Sequence, residues 1–309
     1  MDFGKVPQGE LDKINFRLAD EPEWNRSVLA GKRVAEPKVY FGCPQWWGKD
    51  WIGKLYPKGT RDTELLDHYI RYFNAIELNA THYKVYEPAT IRKWAAKAKD
   101  RDFRFCPKMF KDISHLGSLS DKQALTAGFL QSISAFEDKL GPVFIQLSEH
   151  FYWQRKQELF TYLSGLPAGD FRFFLEMRNP AWFGKEESME WFELLRSLGM
   201  GAVITDTAGR RDCAHMHLPI ARAFVRFVTN ELHPTDYSRC DAWVERINYW
   251  IEQGLEELYF FIHSPDEATS PEIAAYFIDK LNQACRLNLP KPRLNTPGTA
   301  QQATQQTIW

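Results

Sequence analysis

The chain has 309 residues, 44% of them hydrophobic and 26% charged, enough to bury one large core without disulfides or metals. Its 39 basic and 40 acidic residues leave a formal charge of −1, which argues against a dedicated nucleic-acid binder, since neutralising phosphates needs an excess of Lys and Arg. Five widely separated cysteines (Cys43, Cys106, Cys213, Cys240, Cys285) form no C-x-x-C pair, and no run approaches the roughly 20 apolar residues of a membrane span. A reducing, cytoplasmic setting is expected.

Residues 1–36 are mixed and charged and read as an N-terminal extension packed over the outside or bottom of the domain that follows. From there, eight short apolar runs alternate with amphipathic helices: Val39–Cys43, Ala75–Asn79, Phe103–Lys108, Val143–Leu147, Arg172–Met177, Gly201–Asp206, Ala223–Phe227 and Leu258–His263. Strictly alternating strands and helices imply a parallel sheet, and eight repeats are the number that closes a (β/α)8 TIM-type barrel, here predicted over 37–287. Between the strands, Glu87-Pro88 opens a helix, and Ser120 with Gln123 has the spacing of a capping box. Cys240, Trp243, Val244, Ile247, Trp250 and Ile251 make a helical stripe. Ser270-Pro271 starts a last helix running to about Arg286. Residues 288–309, rich in Pro, Gln, Thr and Ala, have the composition of a disordered tail; Ile308-Trp309 at its end reads as a solvated terminus.

Seven of the eight runs place polar residues near their carboxyl ends, where barrels carry their chemistry. These are Glu77 with Asn79, Lys108, Gln146, Glu176 with Arg178, Asp206, Arg226 and His263. Side chains two apart share a strand face, and the outer face lies under helices, so the polar set is expected to point inward. Buried charge is costly unless paired, and so many ionisable or amide groups converging at one mouth suggest a ligand. Three acids balance three bases there, which suits a metal-free, cofactor-free site more than a di-metal centre with its excess of carboxylate and imidazole.

Glu77, Lys108, Glu176 and Asp206 are the catalytic candidates, as general acid or base or as electrostatic partner. Asn79, Gln146, Arg178, Arg226 and His263 would bind substrate, with Arg226 and the helix start near Ser264 as an anion corner. Trp46, Tyr83 and other aromatics in the following loops suit stacking on a sugar or base. His215-Met216-His217 follows the sixth strand with no suitably spaced carboxylate–histidine partner, so metal ligation is not assigned to it.

In order and spacing, several segments resemble the YecE-like family, domain of unknown function 72, over about residues 38–285. They are Gly42-x-x-x-Trp46 with Trp51 and Tyr56-Pro57; Ile76-Glu77-Leu78-Asn79-Ala80-Thr81-His82-Tyr83; Phe103-Arg104-Phe105-Cys106-Pro107-Lys108; Ile113-Ser114-His115 and Leu119; Gly141-Pro142 leading to Gln146; and Glu176-x-Arg178 with Trp182. The resemblance implies a TIM barrel, names no reaction, and adds His115 to the candidate binding residues. The chain departs from the pattern at His82, where Phe is usual, at Ser148 where Pro is usual, after Arg226, and at His263-Ser264.

Three functions follow as expectations. The first is a metal-independent enzyme using carboxylate and lysine chemistry on a small polar, sugar-like or anionic, even phosphorylated, substrate. The second is a metal-dependent phosphodiester- or nucleic-acid-processing barrel similar to endonuclease IV, against which the near-neutral charge and scattered histidines count. The third is a non-catalytic small-ligand binding module. A small molecule is the expected partner, with neither membrane nor nucleic acid; composition leaves the oligomeric state open.

Overall fold

All eight predicted strands form, each boundary within one residue of its expected position, in a computed structural model that describes residues 3–295. They are β1 (Lys38–Gly42), β2 (Ala75–Leu78), β3 (Arg104–Pro107), β4 (Val143–Gln146), β5 (Phe173–Glu176), β6 (Gly201–Asp206), β7 (Arg222–Val228) and β8 (Glu257–His263). The principal helices are α1 (Leu65–Tyr72), α2 (Ala80–Tyr83), α3 (Pro88–Lys97), α4 (Lys111–Ser114), α5 (Gln123–Ile133), α6 (Lys156–Ser164), α7 (Lys185–Ser197), α8 (Pro234–Glu252) and α9 (Ser270–Cys285).

Every ladder is parallel, but the expected closed ring is replaced by two sheets. One runs β1-β8-β7-β6-β5-β4, and β2-β3 form a separate pair. At the β1–β2 seam, two long backbone bonds, from the Asn74 amide to the Phe41 carbonyl and from the Glu77 amide to the Cys43 carbonyl, are supplemented by side chains. Asn74 accepts from the Phe41 amide at 2.7 Å and donates to the Val39 carbonyl at 2.8 Å. The Tyr69 hydroxyl accepts from the Cys43 amide and donates to the Ala75 carbonyl, each at 2.8 Å. The strands approach so closely here that a Cβ on Gly42 would lie 1.9 Å from the Ala75 oxygen, so only glycine fits. The β3–β4 seam holds by isolated contacts, including the Gly141 amide on the Phe105 carbonyl at 2.7 Å and the Met109 amide on the Phe144 carbonyl at 2.9 Å.

Strand alternation divides the core in two. One set of side chains, with members from every strand, meets between the strands: Tyr40, Ala75, Cys106, Phe144, Phe174, Val203, Phe224, Tyr259 and Phe261. The opposite set joins the larger layer under the helices. The predicted α8 stripe is buried there, with Trp243, Ile247 and Trp250 fully covered, each worth about 1.5–3 kcal/mol or more of transfer free energy. The helix opens on Pro234, capped by His233, whose ring nitrogen accepts from the Thr235 amide. Glu87 and Pro88 open α3 as expected. The Ser120–Gln123 capping box does not form: Ser118 caps a short 3-10 turn over Leu119–Asp121, and α5 begins after it at Gln123.

The described stretches before β1 and after α9 are both held against the domain. Trp24 and Asn25 pack on the Leu218 and Met216 carbonyls, and Glu21 pairs with Arg246 of α8, so this stretch lies on the outside. Phe3–Leu11, however, crosses the carboxyl ends of β6 and β7, opposite the expected bottom. Within the predicted tail, Leu289 exchanges hydrogen bonds with the Asn282 side chain, and the Asn295 amide donates to the Lys54 carbonyl. Those contacts hold residues 289–295 against α9 and the β1–α1 loop; the remainder of the tail, with Ile308-Trp309, lies outside the described residues. Among the described residues, no helix is long and apolar enough to cross a membrane.

Candidate functional site

Strand phase alone brings most of the candidate residues to one place. Glu77 on β2 continues the inward face of Ala75; Lys108 and Gln146 follow Cys106 and Phe144; Glu176 follows Phe174; Arg226 follows Phe224; His263 follows Phe261. All six are buried.

Arg226 is the hub. Its Nε and Nη2 donate to Glu77 at 2.9 and 3.0 Å, and its Nη1 donates to both Glu176 oxygens at 3.0 and 3.1 Å. The remaining carboxylate capacity is also used. Glu77 accepts from His263 Nε2 at 2.8 Å and Asn79 at 3.1 Å. Glu176 accepts from Gln146 at 2.7 Å, Arg178 Nε at 3.0 Å and Thr205 Oγ1 at 3.1 Å. Gln146 then turns its carbonyl to Lys108 Nζ at 2.8 Å. Such bidentate, fully satisfied ion pairs are the form in which buried charge is tolerable.

The network sorts its members by protonation. Burial works against the charge on Glu77, but Arg226 and His263 outweigh it and hold the carboxyl well below its ordinary range. Glu176, opposed by burial and held by Arg226, Arg178 and Gln146, is drawn down to about 2. Both are fixed anions at neutral pH. Burial drives Lys108 down to about 7, and Arg226 adds to that; attraction to Glu176 only partly offsets them. The two carboxylates are already matched by Arg226 and Arg178, so the lysine has no anion of its own. It is the group poised to exchange a proton near neutrality.

Above this layer stand two histidines. His82 donates through Nδ1 to the Met109 carbonyl at 2.7 Å, and its ring meets His115 edge-on at 4.9 Å. Burial, then the nearby Lys108, lowers His82 to about 3 and His115 to about 4, so both are neutral. His115 also lines a cavity of about 130 Å3 with Ser148, His150, Phe151 and Arg155.

Three expectations are corrected by placement. Asp206 does share a face with Ala202 and Ile204, but that face is the outer one. Its carboxylate meets Arg239, Arg211 and the Trp243 indole of α8, and the inward neighbour is Thr205. Arg226, expected to hold a substrate anion, has its whole guanidinium committed to Glu77 and Glu176 with no exposed surface. Trp46 packs edge-on against Trp94 of α3 and Trp47 instead of joining the polar cluster. Tyr83, 70% exposed, sits at the rim beside His82.

The structure also supplies residues that sequence reading passed over. Thr205 carried no charge to draw notice, though its phase opposite Asp206 was readable. His82 stood out only as a departure from a pattern. Glu267, just past the Ser264-Pro265 turn after β8, is pushed up to about 7 by burial, with Glu77 adding to the effect. His215 and His217 pack instead against Phe192 of α7.

An alternating α/β chain with a mostly parallel sheet and a polar cluster at the strands' carboxyl ends is the class of protein these observations define. The family model described as "Protein of unknown function DUF72" matches residues 40–296, and the chain belongs to that family. It is similar to the UPF0759 protein YecE of Escherichia coli strain K12, 28% identical over 254 residues that cover 76% of this chain and 89% of that protein. It is also similar to the UPF0759 protein YunF of Bacillus subtilis strain 168, 24% identical over 151 residues, 47% of this chain and 52% of that one. In fold it resembles the crystal structure of a DUF72 family protein, EF0366, from Enterococcus faecalis V583. The TM-score is 0.63 at 14% identity, covering 82% of this chain and 100% of that one.

Proposed function

We propose that this protein is a metal-independent enzyme in which Lys108 takes and returns a proton on a small polar, sugar-like or anionic substrate bound at the carboxyl ends of the strands. Lys108 carries the reading: it is buried, drawn to about 7, and hydrogen-bonded to the neutral Gln146 amide at 2.8 Å. A base is most effective when its pKa lies near the working pH. Glu77, Arg226 and Glu176 form the rigid floor that sets this environment, a positioning role instead of the direct acid–base role first expected for the two carboxylates. Arg178, His115 and the rim around Tyr83 are the groups placed to meet the substrate. The two sheets are read as one (β/α)8 barrel loosened at two seams, in a cytoplasmic protein.

The metal-dependent reading is disfavoured by the same geometry. Carboxylates whose oxygens already accept from Arg226, His263, Asn79, Gln146, Arg178 and Thr205 have little capacity left for a cation.

The experiment is a metabolite-library thermal-shift screen followed by turnover assays in the presence of EDTA. Conversion of a stabilising compound by the wild type, lost in Lys108→Met, supports the reading. A ligand recovered unchanged indicates a binding module, and turnover abolished by EDTA indicates a metal enzyme; either result removes it.

A further inference from the structure

The family match begins at residue 40, yet the first described residues lie across the carboxyl ends of the strands. The Phe3 ring sits 4.2 Å from the Arg178 guanidinium and 5.1 Å from that of Arg210. The Gly4 carbonyl accepts from the Gly209 amide at 2.8 Å and from the Thr207 hydroxyl at 3.2 Å. Further along, Gln8 donates to the Asn230 carbonyl, and Leu11 is buried as an anchor. Between tip and anchor the segment has no regular structure until a 3-10 helix, Gln8–Lys13, that carries Leu11, and it roofs a cavity of about 250 Å3 lined by Phe3, Lys5, Thr207, Val228, Thr229 and Asn230.

From this arrangement we infer that Phe3–Pro7 is a movable strap, hinged where it joins the 3-10 helix anchored by Leu11, whose tip closes the mouth over Arg178 and whose release admits ligand to the Lys108 layer. The inference rests on the proposed reading of that site. Among the described residues, the tip is held by two ring–guanidinium contacts and three hydrogen bonds, from the Thr207 hydroxyl to the Phe3 and Gly4 carbonyls and from the Gly209 amide to the Gly4 carbonyl, and a void lies beneath it. Lifting it therefore uncovers little apolar surface and breaks few bonds, the signature of a segment that opens locally without unfolding the domain. Gly4 is the pivotal position. It adopts φ +70°, and a Cβ there would meet Thr207 Cγ2 at 2.5 Å, so any side chain dislodges the tip.

The test compares the full-length wild type with Phe3→Ala and Gly4→Val. Initial rates of acetylation of Lys108 by acetic anhydride are measured at pH 8 by peptide mass spectrometry. Lys139, buried on the Arg101 carbonyl, is the internal control for general loosening. Lys108 is expected to react about tenfold faster in both variants while Lys139 stays unchanged, since local opening then limits access. Equal Lys108 rates in all three proteins, or Lys139 rising in parallel, overturn the strap. The pH dependence of the same rates separates the two readings. A Lys108 titrating near 7 with no effect of the variants keeps the site and removes the strap; faster labelling of a lysine titrating in the ordinary range keeps the strap and removes the site.

Discussion

Arg226 and Glu77 meet as a two-pronged fork, Nε to Oε2 at 2.9 Å and Nη2 to Oε1 at 3.0 Å, from strands β7 and β2 that share no ladder. Both side chains have no exposed surface. The pair therefore links the two sheets through their shared interior, and its loss is felt by both.

Glu77→Gln leaves Arg226 with one carboxylate in place of two and is expected to destabilise the fold by about 3–5 kcal/mol, the cost of leaving a buried charge poorly compensated. Urea denaturation measures it. The double variant Glu77→Gln/Arg226→Met is expected to lose less than the sum of the single losses, because the second change removes the stranded cation. Additive losses would show that the pair is not coupled.

Lys108→Met is expected to behave oppositely. The lysine titrates at 10.5 in an ordinary setting and at about 7 here, so between those values the unfolded chain binds a proton that the folded one does not. Wild-type stability relative to the variant must then rise from pH 7 to 10.5, and the variant's advantage is largest at and below pH 7. Melting temperatures of both proteins across pH 6–10 check the sign; a difference that does not change with pH contradicts the lowered value.

The two neutral histidines should cost the protein stability at a pH above the range of Glu176. His82 and His115 are held neutral to about 3 and 4, against 6.5 in the unfolded chain. Their stabilising neutrality is fully present above pH 6.5 and is lost as pH falls from there toward 4 for His115 and 3 for His82. Glu176, lowered from 4.5 to about 2, adds its loss as pH falls below 4.5, overlapping the lower part of that window. His82→Phe is expected to flatten the melting-temperature slope between pH 6.5 and about 3, read by calorimetry, and to leave the slope above pH 7 unaltered.

Asp206 belongs to a separate buried cluster with Arg239 and the Trp243 indole, under α8. Asp206→Ala is expected to cost about 3–5 kcal/mol in urea denaturation. A ligand found by thermal shift should still bind the folded fraction with unchanged affinity by calorimetry. Loss of affinity without loss of stability would return Asp206 to the site.

The contrast between Thr205 and Asp206 shows where reading the chain stops. Period-two alternation states correctly that Ala202, Ile204 and Asp206 share a face, but the pattern of β6 is apolar on both faces and does not say which face is inward. A charged residue was assigned inward by analogy with its neighbours, whereas an arginine on α8, far along the chain, drew it outward. Glu77 and Glu176 were placed correctly because their own strands leave a clearly apolar opposite face.

Local pattern, then, was sufficient for the eight strands, their alternation with helices and the convergence of Glu77, Lys108, Gln146, Glu176, Arg226 and His263 on one mouth, since side-chain direction follows from strand period. Which of those groups is a fixed ion and which is free to exchange a proton depended on pairings such as Arg226 with Glu77, 149 residues apart. So did the β1–β2 seam, where Asn74 and Tyr69 reinforce an interrupted ladder, and the passage of Phe3 over Arg178. Charge state and closure are set by distance and burial in three dimensions, quantities that only the folded chain possesses.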